Sequence, residues 1–441
     1  MNEGTSRREF LRVGAGGGLL LATGGLVIAC GGDDPSAAAQ GEVAGDIRFL
    51  KGPNWADDLK WQRETARAFM AEHPKITVEP NLYDWATVET QLTTAFAGNA
   101  PPDIVYMADT LWPKFADASA LLDLTPYVND TAFAEEKAKY PDGAWDAVTY
   151  EDKIYGVPLI QGVISVLYVN TDLMRQAGVT DPVSSYEALR EAARATRTDD
   201  VFGYAMATTH NDFSYQEWMN YVVNSGAAIL ADDGSSPGFD TPDNAAAFEL
   251  LRAIHAEDKS APPPGAYNRE ALKGLFQAGR VAIYHSDANE KIINGQAEGK
   301  PVKFDYEIHK LPPGPGGQFV FTVRGNLHIA AKSKSPDAAW EYVKHLSSAE
   351  RETAFIRAQG GDLQPARADI ARSVYPDGAK YDWSRRLVTE FLPESRSVQA
   401  HPRMVEMIKA VQTEFERCIR GRSSGAEMVA AAHARIGELA A

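Results

Sequence analysis

The chain has 441 residues, a formal net charge of −16 and only two cysteines. So acidic a balance argues against nucleic acid as a partner and against a polybasic membrane patch. The length suffices for two domains with ample core, and a lone pair of cysteines leaves no disulfide framework to support the fold.

The first 29 residues read as an export signal. Arg7 and Arg8 form a twin-arginine pair in the stretch Ser6-Arg7-Arg8-Glu9-Phe10-Leu11, and residues 13–29 carry no charge and hold six glycines. That run is short and weakly apolar for a spanning helix. Val27-Ile28-Ala29 then precedes Cys30. The order looks like a twin-arginine signal ending in a bacterial lipobox, which would make Cys30 the lipid-bearing first residue of the mature chain. An uncleaved anchor helix is the alternative. Residues 30–45 are small and polar without periodicity, as expected of a flexible tether spanning roughly 20 Å root-mean-square.

Past the tether, strands and helices alternate. "DIRFLKG" (46–52), "ITVEPNLY" (76–83) and "DIVYMAD" (103–109) read as strands. Helices are expected over 54–74 and 85–102, the second built on Val88, Leu92 and Phe96 and ended by Gly98 and two prolines. A βαβαβ run implies a parallel sheet with right-handed crossovers. In such sheets ligands bind beyond the carboxyl ends of the strands. Those ends carry Asn54, Trp55, Trp85, Asp109 and Trp112. The segment "KIYGVPLIQGVISVLYVNTDLM" (153–174) has two strand-like runs, expected to split at Gln161-Gly162. Helices follow at "SSYEALREAARATR", with a capping box from Ser184 to Glu187, and after Thr241-Pro242 and Ser335-Pro336. "GRVAIYHSD" (279–287) is a further strand. Cys418 sits on an apolar helical stripe with Met404, Ile408, Val411 and Phe415, the place of a core residue.

In this order several phrases resemble the family-one extracellular solute-binding proteins of bacterial ABC importers, the carbohydrate-binding group. They are "APPDIVYMAD", "IYGVPLIQGVISVLYVNTDLM", "GAAILADDGSSPGFDTPDNAAAFELLRAI", "FQAGRVAIYHSD", "IAAKSKSPDAAWEYVKHLSS" and "GGDLQPAR". The resemblance covers nearly the whole chain after the tether. It implies an α/β, bilobed, periplasmic-binding-protein-like fold of type II, with two discontinuous lobes joined by a hinge. The expected boundaries are 46–157 plus 288–330 for lobe 1 and 158–287 plus 331–441 for lobe 2. The sequence departs from the family at Ala288-Asn289, where a tryptophan is common, at Arg324-Gly325-Asn326, and at Asp362-Leu363-Gln364.

The implied role is that of a lipid-anchored, extracytoplasmic substrate-binding subunit. It would hold a mono- or oligosaccharide between the lobes and pass it to the permease subunits by hinge closure. A polyol or glycerophosphate-type solute is the alternative, and Arg324 in the cleft would favour an acidic one. A sugar needs aromatic faces and planar polar groups. The expected ligand set is therefore Asn54, Trp55, Trp85, Asp109, Trp112 and Gln161 facing Trp218, Asp287, Arg324, Asn326 and Asp362, with Gln216 beside Trp218. No cofactor or metal is expected, and a monomer is. No His-Glu-x-x-His, Cys-x-x-Cys or Gly-x-Ser-x-Gly occurs. An exported glycoside-active enzyme would instead need paired carboxylates across the cleft. A binding protein serving a sensor is the third reading.

Overall fold

The structure is a computed structural model that describes residues 43–441 apart from 99–100, 142, 210–213, 298, 361–362 and 379–380. Arg7, Arg8, Cys30 and Asp362 lie outside the described residues. The strands, in chain order, are β1 Gly45–Lys51, β2 Ile76–Leu82, β3 Ile104–Ala108, β4 Thr149–Tyr150, β5 Lys153–Ile154, β6 Val157–Ile164 and β7 Val166–Asn170. Then come β8 Phe202–Ala205, β9 Val281–Ser286, β10 Tyr306–His309, β11 Val320–Ile329, β12 Gln364–Pro365 and β13 Ser395–Arg396.

The opening βαβαβ run forms as its pattern predicts. β1 pairs in parallel with β2 along its length and with β3 at Phe49 and Leu50. Every residue of β3 is buried, because elements cover both faces of this sheet. The sheet continues through β11, antiparallel to β3, then β6 and β12, while β13 joins β11. Its core gathers Phe49, Phe69, Tyr342 and Phe355. A second sheet, ordered β10-β7-β9-β8, carries another core around Trp218, Phe248 and Phe415. The two sheets, each with its helices, are the two lobes.

The lobe boundaries differ from those expected. Residues 158–164 stay with the first lobe, since β6 pairs with β11 from Val157 to Ile164. Tyr306–His309 pairs with β7 in the second sheet. Helices Pro336–Leu346 and Ala349–Ala358 cover the first sheet, where Tyr342 packs edge-on to Phe69 at 4.9 Å. The cause is β11: its Phe321 enters the second core and its Leu327 and Ile329 the first, so one strand belongs to both lobes. Helices Met404–Ile419 and Gly425–Ala440 do pack in the second lobe, with Cys418 fully buried.

The chain also changes lobes between β6 and β7, and only Ser165 separates them. The break therefore falls at Ser165, not at Gln161-Gly162. Ser165 is buried with φ of 83°, the left-handed region that non-glycine residues seldom occupy. Its hydroxyl donates to the Gln216 carbonyl at 2.9 Å and meets His285 Nε2 at 2.9 Å. Burial holds His285 down to about 3, so the ring is neutral and its Nδ1 meets the Tyr204 hydroxyl at 2.8 Å. Among the described residues no helix is long and apolar enough to cross a membrane.

Candidate functional site

A cleft of about 310 Å³ opens where the ends of β1–β3 meet the two crossing strands. Pro53, Asn54, Trp85, Tyr106 and Ala108 line it from the first lobe. Ile160, Gly162, Val323, Arg324 and Gly325 form its floor on β6 and β11, and Gln216, Arg269, Asp287 and Asn289 face it from the second lobe.

The loop after β1 is held from below. Lys51 Nζ lies 2.6 Å from Asp58 Oδ2, with both side chains buried. The same carboxylate accepts from the Asn54 backbone N–H at 2.8 Å, and Lys51 also donates to the Gly52 carbonyl at 2.8 Å. Burial lowers the Lys51 ammonium to about 8 against the opposing pull of Asp58. The pair fixes the turn that presents Asn54. Trp85 is seated by two constraints. Its Nε1 donates to the Pro53 carbonyl at 2.7 Å, and its ring lies on Gly52, where a β-carbon would come within 2.2 Å of Cε2. Only glycine allows that approach. Gly325 does the same for Tyr106, whose hydroxyl would meet a β-carbon there at 1.9 Å.

At the end of β3, Asp109 is buried and accepts from the Arg324 backbone N–H at 3.2 Å, while its Oδ1 has no hydrogen-bond partner. Burial pushes this carboxyl up to about 6, opposed chiefly by Arg324. Arg324 itself donates from Nη1 to Ser397 Oγ at 2.6 Å. On the opposite wall Arg269 donates from Nη2 to Gln216 Oε1 at 2.9 Å and to Glu217 Oε1 at 2.8 Å. Its Nε reaches the same Glu217 oxygen at 3.0 Å, and its Nη1 stands 3.7 Å from Asp287 Oδ2. Glu217 is fully buried, and burial raises its carboxyl to about 7 against the pull of Arg269. Chemically, the arrangement offers aromatic faces on one wall and hydrogen-bonding side chains on the other. Among the described residues no group of three or more His, Cys, Asp or Glu is placed to hold a metal ion.

Of the residues expected here, Asn54, Trp85, Gln216, Asp287 and Arg324 line the cleft; Asp109 does not line it but is buried next to Ala108, accepting from the Arg324 backbone N–H. Five others do not line it. Trp112 is fully buried and stacks on His328 at 5.6 Å, in the core under β3. Trp218 is fully buried among Phe248 and Phe415 and donates from Nε1 to Gln412 at 2.7 Å. Asn326 is buried mid-strand opposite Met107. Trp55 turns back onto Trp61 and Phe355, with ring centroids 6.2 Å and 5.5 Å away. Gln161 is not among the residues that line the cleft, although its neighbours Ile160 and Gly162 and its cross-strand partner Arg324 are. Tyr106, Arg269, Asn289 and Gln359 are lining residues that sequence reasoning missed. Arg269 opens a surface-patterned helix after its cap Asn268, and nothing local marks it as a site residue.

Known proteins share this fold. Residues 52–352 match the sequence profile of the bacterial extracellular solute-binding protein family. The diacetylchitobiose binding protein DasA of Streptomyces coelicolor is 23% identical over 422 residues, covering 90% of this chain and 91% of that protein. The maltodextrin-binding protein MdxE of Bacillus subtilis is 24% identical, covering 75% of this chain and 74% of its own. Among solved structures, a solute-binding protein of an ABC transporter from Thermotoga lettingae, bound with α-D-tagatose, superposes with a TM-score of 0.77 at 20% identity, covering 90% of this chain and all of that one.

Proposed function

The chain belongs to the bacterial extracellular solute-binding protein family, the substrate-binding subunits of ABC importers, and on that premise we propose that it binds a carbohydrate in the cleft between its lobes and releases it unchanged to a permease. The observation that carries the choice of solute is the cleft's two-sided chemistry. Trp85 and Tyr106 offer ring faces on one wall, and Gln216, Arg269 and Asp287 offer donors and acceptors on the other. Sugars present C–H faces and a rim of hydroxyls, which is the complement of such a site. The sugar-binding relatives support the same choice. Closure about Ser165 and β11 would bring the walls onto the solute, a population shift between open and closed forms.

The N-terminal pattern supports export by the twin-arginine route and lipid attachment at Cys30, which would hold the protein at the outer face of the cytoplasmic membrane. The test is a thermal-shift screen of purified protein against mono- and oligosaccharides and polyols, since a ligand that binds only the native state raises the midpoint. Solute recovered intact after long incubation supports binding without turnover. Released product favours an enzyme instead.

A further inference from the structure

Both arginines that line the cleft are already engaged. Arg324 lies beside the buried Asp109 carboxylate and donates to Ser397. Arg269 is held by two carboxylates: Glu217 takes its Nε and Nη2, and Asp287 approaches its Nη1 at 3.7 Å. Two guanidinium groups thus face three carboxylates, Asp109, Glu217 and Asp287. The surplus charge is negative. Moreover, Asp109 Oδ1, Glu217 Oε2 and Asp287 Oδ1 are buried oxygens with no hydrogen-bond partner among the described residues, three acceptors against two such donors on lining residues, Arg324 Nε and Gln359 Nε2. Such oxygens are satisfied by donors, not by further acceptors.

We propose that the Glu217–Arg269–Asp287 cluster is the charge filter of this cleft, with Glu217 as the specificity-determining residue. It admits uncharged, hydroxyl-bearing solutes and turns away phosphorylated or carboxylated ones. Arg269 supplies geometry, a planar set of donors fixed by Glu217, while Glu217 cancels its attraction for anions. A phosphate entering the cleft would bring only acceptors to a wall that already has too many, and like charges in a desolvated site repel strongly. A hydroxyl rim brings the donors the wall lacks. The inference rests on reading this cleft as the solute site, and it counts against the glycerophosphate-type alternative.

The conservative variant is Glu217→Gln, which keeps the oxygen that accepts from Arg269 and removes the charge. Asp287→Asn, at a less buried position, serves if Glu217→Gln does not fold. Wild type and variants are titrated with inorganic phosphate, and with glucose, glucose 6-phosphate and glucuronate, by thermal shift and calorimetry. Wild type should show no response to phosphate. The variant should gain affinity for phosphate or the sugar phosphate by about tenfold or more. Adding Arg269→Gln to it should abolish that gain. A wild type that binds glucose 6-phosphate more tightly than glucose overturns the proposal. So do variants whose phosphate response stays at the wild-type level. If no carbohydrate binds the wild type and the variant still gains phosphate binding, the charge filter stands and the sugar reading falls.

Discussion

Lys51 and Asp58 form a buried ion pair, 2.6 Å apart, directly beneath the turn that presents Asn54 to the cleft. Removing one partner of such a pair leaves an uncompensated charge in the interior. Lys51→Met should therefore lower stability by about 3–5 kcal/mol. The paired replacement Lys51→Met with Asp58→Leu should recover much of the loss but not the solute affinity, because Asn54 loses the carboxylate that accepts from its N–H. Denaturant melts and binding titrations of both variants check this. A double variant as unstable as the single one would contradict it.

Gly52 is a second hidden support. A β-carbon there would come within 2.2 Å of the Trp85 ring, so Gly52→Ala should push the indole off its seat. Solute affinity should fall by about tenfold, comparable to the loss of a well-packed aromatic contact. Trp85→Ala should do the same while the melting temperature of the unliganded protein changes little.

Trp112 and Trp218 should behave in the opposite way. Both are fully buried, and Trp218 Nε1 donates to Gln412 Oε1 at 2.7 Å. Trp218→Phe leaves that oxygen without its donor and should cost about 1–3 kcal/mol of stability with unchanged affinity. Affinity that drops while stability holds would place the side chain at the solute.

Asp109 gives a pH-dependent prediction. Its carboxyl is raised from 3.8 to about 6, chiefly by burial. The folded protein thus holds this proton more tightly than the unfolded chain does, so ionisation costs native stability. The cost is fully present above pH about 6 and disappears as the pH falls towards 3.8. Asp109→Asn should then be more stable than wild type at pH 7, by about 1–3 kcal/mol, with the advantage shrinking on acidification. An advantage that grows on acidification would have the wrong sign.

The N-terminal pattern is testable by fractionation. Lys at both Arg7 and Arg8 should retain the protein in the cytoplasm, and Cys30→Ala should release a soluble exported form or stall processing. Membrane attachment that persists in Cys30→Ala with the signal removed would contradict lipidation.

β3 was legible because a strand buried on both faces is a short continuous apolar run, β1 and β2 because apolar and polar residues largely alternate along them, and helix 88–97 because Val88, Leu92 and Phe96 recur at helical spacing. Patterning of this kind places elements but does not say which face of an element meets the cleft. That is why Trp85 and Trp112, each just past a strand, were read alike although one lines the cleft and the other is core. Arg269 was illegible for another reason: its partner Glu217 is 52 residues away and only the fold joins them. The break between the two strands was misplaced because Gln161-Gly162 looks like a turn, whereas Ser165, which has the left-handed backbone, does not.

The central claim is that a carbohydrate binds between Trp85 and Arg269 and is not transformed. It is tested most directly by calorimetric titration of a saccharide selected by the thermal-shift screen, on wild type, Trp85→Ala and Arg269→Gln. Small-angle scattering of the same samples would report closure. The account predicts one site per chain, a smaller radius of gyration on binding, and affinity lost by tenfold or more in each variant. Equal affinity in all three proteins, or no change in radius with the saccharide bound, would contradict it.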